Sequence, residues 1–530
     1  MLARVLSVGV SGIEGYPVLV EADVSRGLPS FSTVGLGDSA VREGRDRVAS
    51  AIRNCGLRFP ADRVTVNLAP ADVRKEGAGF DLPIALGVLA ATGQIETGAL
   101  DRVAVTGELA LDGSTRRVRG VLPMAVAAAR AGLSGIIVPT ANALEASAVR
   151  SLRVLPVAGL AGAIRVLSGG SPDDLPPRAP APERAGSGDL SDVRGQEHAK
   201  RALEVAAAGG HNLMFVGPPG VGKTMLARRM AALLPALSEE EALDVTTIHS
   251  VAGLLPEGAG LATSRPFRSP HHSVSASGLI GGGSVPRPGE VSLAHRGVLF
   301  LDELPEFRRD ALEALRQPVE EGVVTITRSM HTVSFPSEFA LVASMNPCPC
   351  GNLGHPTAAC TCTPAMLRRY LSRVSGPLLD RVDVRVALGH PAFDELSGGP
   401  PGEGTEAARE RVAASRRAQT ERCDALGFAA PLTNARLGVD VLDEVLNATA
   451  EARSVVRAAV RKLGLSARGY HKVLRVARTV ADLAREEAVG AEHVMEALQY
   501  RDSPGGDACG SGTCAGATTG TRGGPARGAS

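Results

Sequence analysis

The segment from Gly217 to Thr224 reads GPPGVGKT, and it constrains the fold of this chain more than any other feature. An apolar run, His211 to Val216, precedes it, and a helix-forming run, Met225 to Leu234, follows it. A strand, a glycine-rich loop and a helix in this order are typical of a phosphate-binding loop, in which backbone N–H groups and the positive helix end face the phosphates. The alternative is a Gly/Pro-rich surface turn that only resembles such a loop.

The loop predicts ATP and Mg²⁺ as ligands. Lys223 is expected to reach the β- and γ-phosphates, and the Thr224 hydroxyl is expected to bind Mg²⁺. The predicted nucleotide-contacting residues of the loop are Gly217, Pro218, Pro219, Gly220, Val221, Gly222, Lys223 and Thr224.

Two carboxylates follow a second apolar run, Gly297 to Leu301. Asp302 is expected to contact the nucleotide through Mg²⁺, and Glu303 is placed to polarise the attacking water. A core strand that happens to end in acidic residues is the alternative interpretation. A third apolar run, Phe339 to Ser344, leads to Asn346, whose amide can hold the attacking water or the γ-phosphate without adding charge.

Arg381 lies among acidic residues in the segment from Ser375 to Asp383. Taken alone, an arginine in such a setting is usually a salt-bridged surface residue. The loop, the carboxylates, Asn346 and Arg381, in this order, resemble the AAA+ ATPases. The resemblance implies that Arg381 reaches the γ-phosphate of a neighbouring subunit, so that the active form is a homo-oligomer. Arg468, at the start of an amphipathic helix, looks like the sensor-2 arginine of the family.

The segments around the loop look like those of the magnesium-chelatase and MCM branch of AAA+. The stretches from Arg265 to His272 and from Gly278 to Gly283 resemble the insert of that branch, and Glu321 to Phe335 resembles its β-hairpin before sensor 1. The resemblance implies a hexamer in which the hairpin of the insert and the β-hairpin before sensor 1 both point into the central channel. Arg328 and His331 are then candidate contacts for DNA phosphates, two solvated polar residues being the alternative.

Length and composition set further bounds. A chain of 530 residues is too long for one core, and about 100–200 residues per domain predicts three or four units. The sequence has no apolar run of about 18 residues and no signal peptide at Met1, so we expect a cytoplasmic protein without a membrane contact. A net charge of +1 gives no global argument for nucleic acid. The predicted units are a mixed α/β domain (1–168), a Pro/Gly/Ser-rich linker (169–189), the P-loop core (190–390), a helical lid (405–501) and a disordered tail (502–530).

The first unit resembles the Lon-protease-like domain of the ComM/YifB family, with its ribosomal S5-like α/β fold. The segments that carry the resemblance are Gly35 to Glu43, Val66 to Gly77 and Gly107 to Gly113. A Lon peptidase needs a serine nucleophile and a lysine, but Gly79 occupies the serine position and Leu122 lies near the lysine position. The resemblance therefore predicts a domain used for assembly or nucleic-acid engagement and not for proteolysis.

Cys348, Cys350, Cys360 and Cys362 form two pairs at the ends of a short loop. Such pairs predict a tetrahedral structural zinc site, although C-x-C is less common than C-x-x-C. Four ordinary buried cysteines are the alternative, and disulfides are disfavoured in a reducing compartment.

These observations predict a hexameric ATPase that acts on single-stranded or branched DNA. The resemblance to ComM implies helicase or branch-migration activity in recombination during natural transformation. The alternatives are a magnesium chelatase motor subunit and an ATP-switched protein remodeller, with a Lon-type protease disfavoured by Gly79.

Overall fold

The computed structural model describes residues 1–178, 188–283, 285–328, 331–355, 358–390, 402–428 and 432–501. Part of the predicted linker and the whole predicted tail therefore lie outside the described residues. Within these ranges, no helix combines the length and the apolar character needed to span a bilayer.

The first unit is a seven-stranded mixed sheet with helices on both faces. Its strands are β1 (Leu2–Ser11), β2 (Glu14–Ser25), β3 (Ser30–Val34), β4 (Arg63–Ala69), β5 (Val103–Val105), β8 (Gly135–Pro139) and β9 (Arg153–Val157), with the short pair β6 (Glu108–Leu109) and β7 (Thr115–Arg116) outside the sheet. Its helices are α1 (Ser39–Asn54), α2 (Asp81–Ala91), α3 (Val121–Arg130), α4 (Ala143–Ala146) and α5 (Leu160–Leu167).

The strand order is β3-β4-β2-β1-β5-β8-β9. Strand β1 pairs antiparallel with β2, whereas β5, β8 and β9 run parallel to their neighbours. Side chains alternate between the two faces, as the two-residue period of a strand requires. In β8, Ile137 packs with α1, α2 and α5, whereas Ile136 and Val138 pack with α3 and α4.

The second unit is built around a five-stranded parallel sheet. Its elements are α6 (Glu197–Gly209), β10 (Leu213–Val216), α7 (Lys223–Leu233), α8 (Glu239–Ala252), β11 (Phe267–Arg268), α9 (Ala276–Ile280), β12 (Gly281–Gly282), β13 (Arg287–Pro288), α10 (Glu290–Leu293), β14 (Val298–Leu301), α11 (Arg309–Ala314), α12 (Arg316–Glu321), β15 (Val323–Arg328), β16 (His331–Pro336), β17 (Ala340–Met345), α13 (Pro364–Leu371), α14 (Gly376–Leu379) and β18 (Val384–Ala387). The strand order is β11-β14-β17-β10-β18, so β10 is flanked by β17 and β18. The expected α/β class is confirmed.

Two hairpins stand beside this sheet. Strands β12 and β13 form one, and β15 and β16 form the other, directly before β17 as the sequence predicts. Leu279 of α9, beside β12, is buried in one hydrophobic cluster with Ile326 and Phe335 of the second hairpin and with Leu299 and Leu341 of the sheet. An added Cβ on Gly281 of β12 would lie 3.0 Å from Ile326 Cδ1, so the two hairpins are in contact. Ile13, in the turn between β1 and β2, packs against the same cluster.

The C-terminal region is helical, as expected, and comprises α15 (Thr405–Ala425), α16 (Val439–Leu446), α17 (Ala450–Leu463), α18 (Ala467–Ala484) and α19 (Ala491–Gln499). Ser466 caps α18 by accepting a hydrogen bond from the N–H of Gly469 at 3.1 Å. Leu442 and Val473 of these helices share one buried cluster with Leu213 and Phe215 of β10. The helices are therefore part of the same apolar core as the sheet.

A buried polar group joins the first unit to α8. The carboxylate of Glu145, 3% exposed, accepts hydrogen bonds from the Ser250 hydroxyl at 2.7 Å and from the Leu122 N–H at 3.0 Å. Arg117 lies 3.7 Å from the same carboxylate and donates to the carbonyl of Leu255. Because a buried carboxylate is stable only with such partners, this contact fixes α3 against α8.

The first unit also buries an amine that the described residues leave without a hydrogen-bond partner. Lys75 is 0% exposed and its Nζ contacts no acceptor within the described ranges. Burial lowers the pKa of this lysine, because an ammonium is disfavoured where water is excluded. We predict that Lys75→Met stabilises the protein at pH 7 by about 1–3 kcal/mol, the range for an unsatisfied buried polar group. Urea unfolding measures the change.

The sign of the pH effect follows from the lowered pKa. Stability should increase as pH rises from the folded-state pKa of Lys75 toward the unfolded value of about 10.4, where both states become neutral. Lys75→Met should remove that increase, whereas Lys462→Met, on the exposed surface of α17, should keep it. A less stable Lys75→Met protein would show that the amine has a partner after all.

Candidate functional site

The predicted phosphate-binding loop, Gly217 to Thr224, joins β10 to α7 through two glycines in the left-handed region. Gly220 has φ 82° and Gly222 has φ 91°, and a side chain at either position would be strained. Gly217 lies close to β18, where an added Cβ would meet the Leu388 carbonyl oxygen at 2.6 Å. The helix begins directly at Lys223, so its positive end lies at the loop.

The Lys223 amine folds back onto the loop. It donates to the carbonyls of Gly217 at 2.7 Å and Pro218 at 2.8 Å and to the Asn346 side-chain oxygen at 2.9 Å. Burial lowers the pKa of Lys223, and the nearby carboxylates of Asp302 and Glu303 oppose that effect. The amine is thus positioned beside the loop and next to Asn346.

Asp302 lies opposite the loop, at the end of β14. Its Oδ2 accepts a hydrogen bond from the Thr224 hydroxyl at 2.8 Å, and its Oδ1 accepts one from the Ser344 hydroxyl. A hydroxyl and a carboxylate oxygen are the ligands that Mg²⁺ prefers. The pair therefore fits the predicted magnesium site, and the glycine loop with Lys223 fits a nucleotide phosphate chain.

Glu303 adopts a backbone conformation that is unusual for a residue with a side chain, with φ 55°. Its N–H donates to Asp302 Oδ1 at 3.1 Å and to Ser344 Oγ at 3.3 Å, which holds the turn in place. The Glu303 carboxylate lies 3.6 Å from His272 Nδ1, and the His272 ring contacts Phe307 edge-on at 6.4 Å between centroids. Strained residues of this kind cluster at functional sites.

Two residues of the site were missed by the sequence analysis. Ser344 is a polar residue inside the otherwise apolar strand β17, and that position was the only signal for it. His272 belongs to the insert after β11, where the sequence contains a His-His pair with ring centroids 4.0 Å apart. Nothing in the local pattern indicated that His272 would meet Glu303.

The two predicted arginines lie together. Arg381 Nη2 contacts Glu320 Oε2, and Arg468 Nη2 contacts Glu320 Oε1 at 3.2 Å. Arg381 also donates to the Pro377 carbonyl at 2.7 Å. In the part of the chain that the structure describes, neither guanidinium bonds to the phosphate-binding loop.

Arg328 and His331 form the last paired residues of the β15–β16 hairpin. Their side chains lie outside what the structure describes, so their role as DNA contacts stays a prediction.

The four predicted cysteines converge. The Sγ atoms of Cys348, Cys350 and Cys360 are 3.4, 3.7 and 3.6 Å apart, and Cys362 completes a group whose Sγ atoms all lie within 4.8 Å. A tetrahedral zinc with Zn–S bonds of about 2.3 Å separates its thiolates by about 3.8 Å. The donor set fits zinc, and Cys348 and Cys350 are free thiols.

The cysteine loop touches the nucleotide site. Cys348 follows Asn346 by two residues in the sequence, and an added Cβ on Gly351 would lie 2.7 Å from Pro219 Cδ. The cysteine loop therefore packs against the predicted phosphate-binding loop, next to Asn346.

Comparison with protein families gives matches along most of the chain. The family described as magnesium chelatase, subunit ChlI, matches residues 189–396. Subunit ChlI of Mg-chelatase matches residues 20–142, and the C-terminal region of magnesium chelatase subunit ChlI matches residues 402–501.

Comparison with individual proteins gives full-length relatives. Competence protein ComM of Haemophilus influenzae is 43% identical over 511 residues, covering 94% of this chain and 97% of that protein. The uncharacterized protein YifB of Escherichia coli is 43% identical over 492 residues, covering 92% and 95%. The magnesium-chelatase 38 kDa subunit of Rhodobacter capsulatus is 27% identical over 176 residues, covering 30% of this chain and 50% of that subunit.

The site geometry predicts that different residues serve nucleotide binding and hydrolysis. Lys223→Ala removes the half-buried amine beside the loop and should weaken ATP binding. Glu303→Gln keeps the loop and the Thr224–Asp302 pair, so ATP should still bind while hydrolysis falls by about 10²–10⁴-fold. Binding of a fluorescent ATP analogue and phosphate release measure the two effects. Equal loss of binding in both variants would contradict this assignment.

The cysteine cluster predicts about one zinc per chain in purified protein. Cys350→Ser and Cys360→Ser should lose the metal, whereas Cys55→Ser, in the first unit, should keep it. Because the loop packs against Pro219, zinc loss should also weaken binding of the ATP analogue. Elemental analysis checks the first expectation, and full zinc content in Cys350→Ser would end the idea.

Proposed function

The chain belongs to the ComM/YifB family of magnesium chelatase-like AAA+ proteins, and we propose that it is an ATP-hydrolysing hexameric motor that moves DNA. The observation that carries the proposal is the convergence of Lys223, Asp302 and Asn346 beside a glycine loop. The two hairpins and the competence name of the Haemophilus influenzae relative support DNA as the track. The proposed activity is helicase or branch migration in recombination during natural transformation.

The proposed hydrolysis uses the side chains as follows. Loop N–H groups and Lys223 bind the phosphate chain, with Lys223 leaving the Gly217 and Pro218 carbonyls as it does so. Glu303 accepts the proton of the attacking water, and Asn346 orients that water. Thr224 and Asp302 would hold Mg²⁺, which would supply positive charge to neutralise the phosphates.

The proposed reaction is completed across a subunit boundary. Arg381 and Arg468 bond to Glu320 and not to the described part of their own loop. We assign them to the γ-phosphate bound by the neighbouring subunit, where such arginines lower the barrier by neutralising transition-state charge. The oligomer is then required for the rate, and a cytoplasmic hexamer is the form that we propose.

The unit from 1 to 168 is proposed as a Lon-like domain retained for assembly or nucleic-acid engagement. Gly79 lacks a side chain, and its carbonyl accepts a hydrogen bond from the Thr106 hydroxyl at 3.2 Å. Leu122 is buried in α3 beside Glu145. Neither position offers a nucleophile or an amine, which supports a function without proteolysis.

We predict that single-stranded and forked DNA stimulate the ATPase rate, and that ATP drives strand displacement from a three-way junction. Glu303→Gln should retain DNA binding and lose both ATP turnover and displacement. Arg328→Ala combined with His331→Ala should weaken the DNA stimulation while leaving the basal rate intact. ATPase kinetics and a fluorescent displacement assay measure these effects.

Each alternative function predicts a different result. ATP turnover that ignores DNA but responds to a protein client would favour a protein remodeller. Porphyrin metallation in reconstitution would favour a chelatase motor subunit. Either outcome would falsify the DNA motor.

A further inference from the structure

One carboxylate gathers two arginines from different parts of the fold. Arg381 follows α14 at the edge of the core, and Arg468 lies in the first turn of α18. Both guanidinium groups contact Glu320 of α12, one on each carboxylate oxygen. Glu320 and Arg468 are each half exposed, whereas the Arg381 side chain is mostly buried behind them, so the cluster opens to the surface on the Glu320 side.

The two arginines are fixed relative to each other. Lys472, one helical turn after Arg468, donates to the carbonyls of Asp380 and Val382, the residues on either side of Arg381. The same amine lies 3.1 Å from Asp383 Oδ1. Because Lys472 is almost fully buried in these contacts, the start of α18 cannot move away from the Arg381 turn without breaking them.

The cluster carries unbalanced charge. Two guanidinium groups face one carboxylate, so these three side chains together carry one net positive charge. A terminal phosphate carries more negative charge than a carboxylate and offers more oxygens to planar guanidinium groups. A terminal phosphate can therefore replace the Glu320 carboxylate as the partner of both arginines.

We propose that Glu320 is the resident counter-ion of this arginine pair, which the γ-phosphate of ATP on the neighbouring subunit displaces on assembly. This inference rests on the proposed function, in which the arginines act across the subunit boundary. Glu320 is thus a positioning residue that competes with ATP for Arg381 and Arg468. It sets the ATP concentration at which the ring becomes active.

The test is the ATP dependence of the basal ATPase rate, measured without DNA on the full chain. In Glu320→Gln, the side chain still accepts hydrogen bonds but carries no charge, so the arginines leave it more readily. The ATP concentration for half-maximal rate should fall about two- to fivefold with no loss of maximal rate, consistent with two weak surface ion pairs. Glu321→Gln, which alters a neighbour that pairs with Gln317, is the matched control and should behave as wild type.

Oligomer formation with a non-hydrolysable ATP analogue gives a second measurement, and Glu320→Gln should need less analogue. An unchanged half-maximal concentration, or a lower maximal rate at an unchanged concentration, would overturn the proposal. Thermal unfolding should be equal in both variants, because a merely structural role would lower stability instead. A basal ATPase rate in Arg381→Ala equal to that of wild type would show that Arg381 does not act across the subunit boundary. That result would contradict the proposed function and is distinct from a failure of the Glu320 proposal.

Discussion

The adjacency of three parallel strands brings the candidate site residues together. Strand β17 lies between β10 and β14, so Asn346, which follows β17, reaches the Lys223 amine on the β10 side, while Asp302 follows β14 on the other side. Lys223 and Asn346 are 123 residues apart in sequence, yet their side chains are hydrogen bonded. A shift of one residue in the pairing of β17 would turn Ser344 to the opposite face and remove its bond to Asp302. The cysteine loop leaves the same strand, so its position also follows from this pairing.

Features that lie within short stretches of sequence were predicted, whereas contacts between distant stretches were not. The glycine loop, the acidic strand end and the cysteine pairs each depend on a local pattern, and the structure brings their side chains together. The contact between His272 and Glu303 and the arginines on Glu320 depend on where separate segments meet. Residue spacing does not predict these contacts, because the paths of the loops and inserts determine which distant segments meet. The burial of Lys75 could not be predicted for the same reason, because lysine is usually exposed and only the surrounding fold buries it here.

The three units are joined by different kinds of contact. Core and helical region share one apolar cluster, in which Phe215 and Val473 are both buried, so separating them would expose a large hydrophobic surface. The first unit meets the core through Ile13, which packs against the apolar cluster of the hairpins, and meets α8 through the polar group around Glu145 and Ser250. Directional hydrogen bonds fix orientation more strictly than apolar packing does. The first unit is therefore held in a fixed orientation on α8, the second helix after the nucleotide loop.

The folded-back Lys223 has a consequence for nucleotide exchange. Its amine already makes three hydrogen bonds, to Gly217, Pro218 and Asn346. Each bond to a phosphate oxygen therefore replaces an existing bond, and only the difference between the two contributes to affinity. When the phosphate leaves, Lys223 re-forms the same three hydrogen bonds. Release of the product therefore does not leave the amine without a partner. In the proposed ATPase, a loop that satisfies its own lysine therefore favours release of the product phosphate.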